Sequence, residues 1–410
     1  MATFFFVGTI FSALTIIPSF FIGRIITKNN VGGFFTAMLL AVSSFFVART
    51  TGESSDTDVY AVFFPVLITW FFLQSLYAKN LKQKLSRISL AGLSTGVFSF
   101  AWSGWWYIAD FIFVALLLYL MYIIIISWKT IRATLTTDII LHPLYTFFLY
   151  LGTACVSVFF FTSFQEMKRI FFGPFQFLLL KAVGVTSFWP NIRTTVAELN
   201  VPSFSTVLNQ LGGTLIFALA ILGILFIILR KEENKYHHLS LVLFLTIWFA
   251  ASLFATTKGI RFVLQATPIL AIAFGSFLGI TWYYTSQWLS KGLKLPFFST
   301  KIVVFLLLGL FLIQPIQDGY SQAFNSAPSM NDGWYNILTK IKNEAPPDAI
   351  ITSWWDFGHW FKAIADRRVT FDGGSQVGWG AYWVGKSLIT NDERTTVGII
   401  RMLNCGQNSA

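Results

Sequence analysis

The chain has 410 residues, of which 55% are hydrophobic and only 11% are charged. Soluble globular proteins carry about 25% charged residues, so this composition excludes a water-soluble fold for most of the chain. The formal net charge is +11. Lys and Arg collect in short segments between apolar runs, as in membrane proteins, so we predict a lipid bilayer and no nucleic acid as partner.

Apolar runs follow one another along the first three quarters of the chain. Each is long enough for a helix to cross ~30 Å of hydrocarbon, and we predict about ten such spans. They cover residues 3–23, 31–48, 57–77, 88–105, 108–127, 143–163, 212–229, 238–255, 262–284 and 301–317.

Basic residues are concentrated in every second loop between these spans, which the positive-inside rule assigns to the cytoplasmic side. The basic loops lie at residues 24–28, 79–87, 129–132, 230–235 and 291–294. The remaining loops, including the long segment 164–211, are then external. Met1 also falls outside, so we expect at least one further span to precede it.

Residues 318–410 differ from the preceding spans because polar and apolar residues are mixed, with Pro346–Pro347 and Gly373–Gly374 among them. The sequence therefore predicts a transmembrane domain over 1–317 and the start of an external domain over 318–410. The predicted fold class is a polytopic α-helical membrane protein followed by the start of an external mixed α/β domain.

Carboxylates are scarce in the membrane part, and two of them form an Asp-Thr-Asp triplet at the outer end of a span. Asp56 and Asp58 lie two residues apart, so both can approach one hard divalent cation. Capping of a helix N-terminus by Asp is the alternative, and the more frequent explanation of an isolated triplet.

Three other charged residues lie near the predicted external side. Glu198 falls in the long external loop; loops of that length are often functional, although a solvated glutamate is the simpler explanation. Arg261 opens a span, where it could bind phosphate or anchor the helix at the interface. Arg49 precedes the triplet and could orient its carboxylates or mark the interface.

The external domain contains the string Trp354-Trp355-Asp356-Phe357-Gly358. A buried aromatic turn is one explanation. The string also resembles the Trp-Trp-Asp-Tyr/Phe-Gly signature of the catalytic subunits of asparagine-linked oligosaccharyltransferases.

The resemblance extends over nearly the whole chain and keeps the order of the family's motifs. Asp56–Asp58 resembles its second acidic motif, Thr195–Glu198 its external-loop motif, and Arg261 its phosphate-binding arginine. Four predicted spans separate Asp58 from Glu198, and four more separate Glu198 from Asp356. Both numbers are even, so these three acidic residues fall on one face of the membrane. The family's first acidic motif has no counterpart, because no acidic residue precedes Glu53, and its later Lys-containing motif is also not found.

The resemblance implies a GT-C-type glycosyltransferase. Such an enzyme transfers an oligosaccharide, with inversion, from a dolichol-type lipid (di)phosphate to the asparagine amide of Asn-x-Ser/Thr, and it requires Mn²⁺ or Mg²⁺. The implied residues are Asp56, Glu198 and Arg49 for catalysis; Asp56, Asp58 and Glu198 for the metal; Arg261 for the lipid phosphate; and Trp354, Trp355, Asp356 and Thr195 for the acceptor. His359 is a further candidate for the lipid phosphate, with a structural role as the alternative.

The implied partners are a lipid-linked oligosaccharide and acceptor polypeptides; accessory subunits cannot be read from the sequence. We expect a multi-pass cell-membrane protein of archaeal type with an external active site, or a lumenal site in the endoplasmic reticulum for a eukaryotic member. Two alternatives stay open: another lipid-linked GT-C glycosyltransferase, which has no need of the Trp-Trp-Asp string, and a membrane transporter, which the scarcity of charges within the spans disfavours.

Overall fold

The computed structural model describes residues 2–51, 57–130, 137–179, 196–230, 235–375 and 378–405. The chain divides into two compact units. The first unit comprises residues 1–180, 202–257 and 261–327, and the second comprises residues 181–201, 258–260 and 328–410. Two short segments from the middle of the chain therefore group with its C-terminal part.

The first unit is built from α-helices joined by short connections and 3₁₀ turns. Its helices are α1 (Ala2–Thr27), α2 (Asn30–Ala41), α3 (Ser44–Ala48), α4 (Tyr60–Leu76), α5 (Leu81–Ala101), α6 (Trp106–Ile126), α7 (Asp138–Phe161), α8 (Phe164–Met167), α9 (Arg169–Leu178), α10 (Phe204–Gln210), α11 (Thr214–Leu229), α12 (Lys235–Thr256), α13 (Val263–Gly292), α14 (Phe297–Gly309) and α15 (Ile313–Phe324).

Among the described residues, seven helical segments are long and apolar enough to cross a membrane. An eighth results if α10 and α11, which meet at 83°, form one span. The ten predicted segments all fall on helices, but α2 has only 12 residues and is about 18 Å long, short of a full crossing. The count of ten spans stays a prediction.

Helix α13 lies at the centre of the first unit, and 94% of an 18-residue apolar window of this span is buried. It approaches α2 closely because both helices carry glycine at the contact. A Cβ on Gly279 would lie 2.5 Å from the Cα of Gly32, and one on Gly275 would lie 2.4 Å from the backbone N of Thr36. Small residues allow such close packing of membrane helices. The packing fixes the position of α13, which begins two residues after Arg261.

The second unit contains α16 (Asp332–Glu344), β1 (Ile350–Ile351), α17 (Trp355–Ala363), β2 (Arg368–Val369), α18 (Gly378–Ile389) and α19 (Glu393–Cys405). The two strands are parallel, with Ile350 opposite Arg368. In the described residues, the expected α/β character is limited to this small sheet. The predicted division at 317/318 falls inside α15 and stays a prediction.

Two apolar clusters form the core of the second unit. One includes Phe371, Val384 and Leu403, and the partly buried indoles of Trp354 and Trp355 pack against it. The other is built around buried Leu338, Phe361 and Ala365. Helix α17 therefore has one end on each cluster, which holds the Trp-Trp-Asp string in place.

Arg367 connects the end of α16 to the turn before β2. Its guanidinium group is buried and donates hydrogen bonds to the carbonyl oxygens of Lys342 (2.8 Å), Ala345 (2.6 Å), Asp366 (2.9 Å) and Ala365 (3.2 Å). The last carbonyls of a helix have no intrahelical partner, so a buried cation at this point satisfies them.

Candidate functional site

In the first unit, a buried carboxylate brings together two arginines that are far apart in sequence. Asp58 is 1% exposed and lies in the 3₁₀ turn Thr57–Val59 that leads into α4. Its Oδ1 accepts a hydrogen bond from Arg261 Nη2 at 3.0 Å, and its Oδ2 lies 3.4 Å from Arg49 Nη1. The structure thus joins three of the residues to which the sequence assigned separate functions.

Each arginine is positioned by the end of a helical element. Arg49 follows the last residue of α3, and its guanidinium group lies over the ring of Phe45, 5.6 Å from the centroid. Arg261 lies in the turn Ile260–Phe262, directly before the central helix α13. Because both arginines lie at helix ends that are fixed by packing, their guanidinium groups are held close to Asp58.

The arrangement can bind an anion while remaining stable in a low-dielectric environment. The side chains of Arg49 and Arg261 are 21% and 31% exposed, so part of each guanidinium group is accessible to a ligand. Guanidinium groups match phosphate oxygens in planar, bidentate geometry. Removing Asp58 would leave both cations without this buried counter-charge, which is costly.

Glu198 lies in the second unit, in the 3₁₀ turn Ala197–Leu199. This turn is held against residues 258–260, because the backbone N–H of Ile260 donates to the carbonyl oxygen of Asn200 at 3.0 Å. A Cβ on Gly259 would lie 3.1 Å from the Cα of Leu199, so glycine permits the close approach. Glu198 is half-buried in this arrangement.

The Trp-Trp-Asp string forms the start of α17, with Trp354 as the residue before its first turn. The ring of Trp354 packs edge-on against Phe371, with centroids 5.7 Å apart. The Trp355 indole nitrogen is buried without a hydrogen-bond partner among the described residues. A buried N–H donor without a partner is uncommon, and it is a candidate for binding a ligand.

Asp356 is exposed in the first turn of α17. Partial burial of its carboxylate raises its pKa, and a backbone hydrogen bond, which lowers the pKa, offsets part of this effect. His359 is also exposed, one turn further along. Its Nε2 would be 2.8 Å from a Cβ on Gly373. Asp356 and His359 therefore both lie at the surface of the second unit.

Gly358, the last residue of the string, has a steric function. A Cβ on this glycine would lie 2.5 Å from the carbonyl oxygen of Phe371 and 2.5 Å from the Cβ of Asp372. Helix α17 therefore packs directly on the backbone at 371–372. This contact leaves no room for a side chain at position 358, which explains why the string has glycine there.

The turn after β2 contains a carboxylate, Asp372, which the sequence placed in a turn with Gly373 and Gly374 and to which it assigned no chemical function. Asp372 accepts hydrogen bonds from Ser375 N (2.9 Å), Ser375 Oγ (2.7 Å) and Gly374 N (3.0 Å), and it pairs with Lys362 of α17. Burial raises the pKa of Asp372, but the hydrogen bonds from Lys362 and Ser375 outweigh burial and lower it to about 2. The Asp-Gly-Gly-Ser sequence is typical of such a turn, and the predicted turn is confirmed.

Two of the predicted site residues, Asp56 and Thr195, lie outside the described residues. Within the part of the chain that is described, no three His, Cys, Asp or Glu side chains are grouped closely enough to hold a metal. Because Asp56 lies outside that part, the predicted metal ligands Asp56, Asp58 and Glu198 stay a prediction.

The described residues thus form a multi-pass membrane protein. Its membrane-length helices surround a buried aspartate that pairs with two arginines, and its second unit contains a helix that begins with the Trp-Trp-Asp string. The chain belongs to the oligosaccharyl transferase STT3 family. The family's N-terminal domain model matches residues 1–314. The STT3/PglB/AglB core domain model matches residues 347–406, which include the Trp-Trp-Asp string.

Archaeal and bacterial proteins match 97% of the chain. It is 28% identical to a dolichyl-phosphooligosaccharide-protein glycotransferase of Methanocaldococcus jannaschii and 27% identical to one of Methanococcus voltae, over 57% and 53% of those proteins. An undecaprenyl-diphosphooligosaccharide–protein glycotransferase of Campylobacter jejuni is 24% identical, over 56% of its length. The chain thus spans little more than half the length of these relatives.

The archaeal oligosaccharyltransferase AglB from Archaeoglobus fulgidus, solved in complex with an inhibitory peptide and a dolichol-phosphate, has the same fold. The TM-score is 0.70 at 16% identity, over 98% of this chain and 57% of that one. The predicted family and the predicted polytopic helical membrane fold are therefore confirmed.

Proposed function

We propose that this protein is the catalytic subunit of an oligosaccharyltransferase, an inverting glycosyltransferase that joins a lipid-linked oligosaccharide to the asparagine amide of Asn-x-Ser/Thr. The observation that carries the proposal is the Arg49–Asp58–Arg261 cluster, in a chain that also has the Trp-Trp-Asp helix. The names of the archaeal relatives support a dolichyl-phosphooligosaccharide donor.

The arginine cluster would bind the phosphates of the donor. Asp58 holds Arg261 and Arg49 in position, so little side-chain entropy remains to be lost when a phosphate binds. Arg261 contacts the phosphate in this proposal, and Arg49 supports it through Asp58. His359, exposed in the second unit, is a second proposed phosphate contact.

Asp56, Asp58 and Glu198 would hold a divalent cation, Mn²⁺ or Mg²⁺. Carboxylate oxygens are the ligands that such hard cations prefer. Asp58 would contribute a carboxylate oxygen to the ion while it pairs with Arg49 and Arg261. A bound ion would offset the charge that develops on the leaving lipid diphosphate.

The asparagine nitrogen is a poor nucleophile because its lone pair is delocalised into the carbonyl group. Glu198 would accept a hydrogen bond from the amide N–H, which weakens this conjugation. As the nitrogen–carbon bond forms, the anomeric carbon–oxygen bond to the diphosphate breaks and the amide proton passes to a carboxylate. Attack from the face opposite the leaving group inverts the anomeric centre.

The acceptor would be read by Trp354, Trp355 and Asp356, with Thr195 from the external loop. A threonine or serine hydroxyl at the third position of the acceptor can accept from the Trp355 indole N–H, which has no described partner, and donate to the Asp356 carboxylate. Sites built to pair a hydroxyl reject acceptors without one, because the buried polar groups are then unpaired.

The distribution of basic loops supports an active site on the external face of the cell membrane. Similarity to proteins of methanogenic archaea supports the archaeal arrangement over a lumenal site in the endoplasmic reticulum. A crystal structure of the Archaeoglobus fulgidus enzyme tethered to a peptide with the sequon Asn-Val-Thr supports polypeptide acceptors.

The test uses the full-length protein in liposomes with lipid-linked oligosaccharide, Mn²⁺ and a fluorescent peptide containing Asn-Ala-Thr. Glycosylation is measured as a shift of the peptide on a gel. We expect transfer that is lost with a Gln-Ala-Thr peptide or with EDTA. Arg261→Ala should lower kcat/KM by about 100-fold, the loss typical of one donor that stabilises developing charge.

Arg401→Ala is the matched control, because Arg401 is exposed on α19; it should leave transfer unchanged. Donor consumption without modification of the asparagine peptide would overturn the proposal and favour another lipid-linked glycosyltransferase. Undiminished transfer by Arg261→Ala would refute the assignment of this arginine to the donor phosphates.

A further inference from the structure

A cavity of about 680 Å³ opens in the first unit, away from the residues assigned above. Its walls come from the last turns of α1, the last turns of α4 and the first turns of α5. Three helix ends meet there, and the aromatic rings of Phe21, Trp70 and Tyr77 form part of the lining. Trp and Tyr are enriched where membrane helices reach the polar interface.

The described residues that line this cavity include the cations Arg24, Lys79 and Arg87, and there is no carboxylate among them. Cations around one concave surface repel one another, and a bound anion relieves the repulsion. The lining therefore favours an anionic ligand.

Two buried polar atoms in the same wall have no hydrogen-bond partner among the described residues. They are the indole nitrogen of Trp70 and the side-chain oxygen of Gln74. The Trp70 ring is held in place by stacking on Phe21, with centroids 5.3 Å apart, so its N–H direction is fixed. A donor and an acceptor left unpaired on one wall fit a ligand with both a phosphate oxygen and a hydroxyl group.

The cavity and the Arg49–Asp58–Arg261 cluster lie at opposite ends of α4. Asp58 precedes the first turn of this helix, and Gln74 lies in its last turn. Its 17 residues span about 26 Å, close to the thickness of the hydrocarbon core. The cavity is therefore at the level of the lipid headgroups on the predicted cytoplasmic side.

We propose that this cavity binds the headgroup of an anionic glycerol-type phospholipid of the cytoplasmic leaflet. Arg24, Lys79 and Arg87 contact the phosphodiester, the Trp70 N–H donates to a phosphate oxygen, and Gln74 accepts from a headgroup hydroxyl. Basic pockets between membrane helices on this side suit anionic headgroups. The site is independent of the transfer reaction, because it lies on the other face of the membrane.

The experiment titrates the full-length protein in detergent with phosphatidylglycerol or phosphatidylcholine, and native mass spectrometry counts the bound lipids. Arg24→Gln/Arg87→Gln should weaken phosphatidylglycerol binding by at least about tenfold, because two charge-assisted hydrogen bonds are lost. Trp70→Phe keeps the ring and removes the N–H, so it should weaken binding about fivefold. Binding of phosphatidylcholine should not change.

Lys291→Gln/Lys294→Gln is the matched control, since it removes two exposed cations from the same predicted face. It should leave phosphatidylglycerol binding intact. Equal binding of both lipids, or an equal loss in the control, would overturn the proposal. Displacement of the lipid by millimolar inorganic phosphate would also overturn it, because the site would then be one for free phosphate. Unchanged elution and thermal unfolding of the variants exclude misfolding as the cause.

Discussion

Two buried carboxylates of this protein are stabilised in different ways. Asp58 of the first unit is held by the side chains of Arg49 and Arg261, and Arg261 lies 203 residues away. Asp372 of the second unit is held by its own turn, through Gly374 and Ser375, and by Lys362, ten residues away. The first arrangement depends on the packing of the whole helix bundle, and the second depends on near neighbours in the sequence.

The comparison suggests different functions for the two carboxylates. A charge held by distant side chains couples helix ends, so it can position groups that bind a ligand. A charge satisfied by its own turn stabilises a local shape against which another element packs. In this protein that element is α17, whose Gly358 contacts the backbone at Asp372. Four predictions test this difference.

The largest effect is expected for Asp58→Ala. Two arginines would lose their buried counter-charge, and breaking a buried ion pair costs about 3–5 kcal/mol. Thermal unfolding of the full-length protein in detergent measures the loss, and transfer should disappear with it. Asp348→Ala is the control, because Asp348 is exposed; equal stability of the two variants would show that the bundle does not depend on Asp58.

Gly358→Ala tests the packing of α17 on the Asp372 turn. The added Cβ would lie 2.5 Å from the carbonyl oxygen of Phe371, and such overpacking typically costs about 1–3 kcal/mol. Limited proteolysis should cut the second unit faster than in the wild type. Gly398→Ala in α19 is the matched control, since its Cβ would meet nothing within 4 Å, and it should be neutral or stabilising.

Stability of the second unit should depend on pH through Asp372. Its pKa falls from the ordinary 3.8 to about 2 on folding, so the stabilisation is complete above about pH 4 and is lost as pH falls through 2. The difference amounts to about 2 kcal/mol. Proteolysis by an acid protease, followed from pH 5 to pH 2, measures the change. In Asp372→Asn this part of the pH dependence should be absent; an identical profile would contradict the assignment.

The smallest effect is expected for Lys362→Met. The Lys362 side chain is 53% exposed, and exposed ion pairs contribute about 0–1 kcal/mol. The bonds from Ser375 and Gly374 remain, so the turn should persist. Arg261→Met removes a partner from Asp58 in the same way and should cost several times more. Equal losses in the two variants would contradict the distinction between local and distant stabilisation.

Apolar runs predicted where the helices lie, because burial in lipid requires such runs wherever a helix crosses the membrane. The Trp-Trp-Asp string indicated the family from five residues. The pairing of Asp58 with Arg261 was not predicted: sequence placed both on one face, but their distance depends on how α4 packs beside α13. The Lys362–Asp372 pair was missed because its residues carry no periodic signal. The chemical functions assigned to Asp56, Glu198 and Asp356 stay predictions.

The separation of Asp58 from its partners also has a consequence for biosynthesis. Chains grow at about 5–20 residues per second, so the 203 residues between Asp58 and Arg261 take about 10–40 seconds to make. Arg49 precedes Asp58 by nine residues and is already present when Asp58 emerges from the ribosome. Arg49 can therefore hold this carboxylate during membrane insertion, and Arg261 completes the cluster only when the central helix arrives.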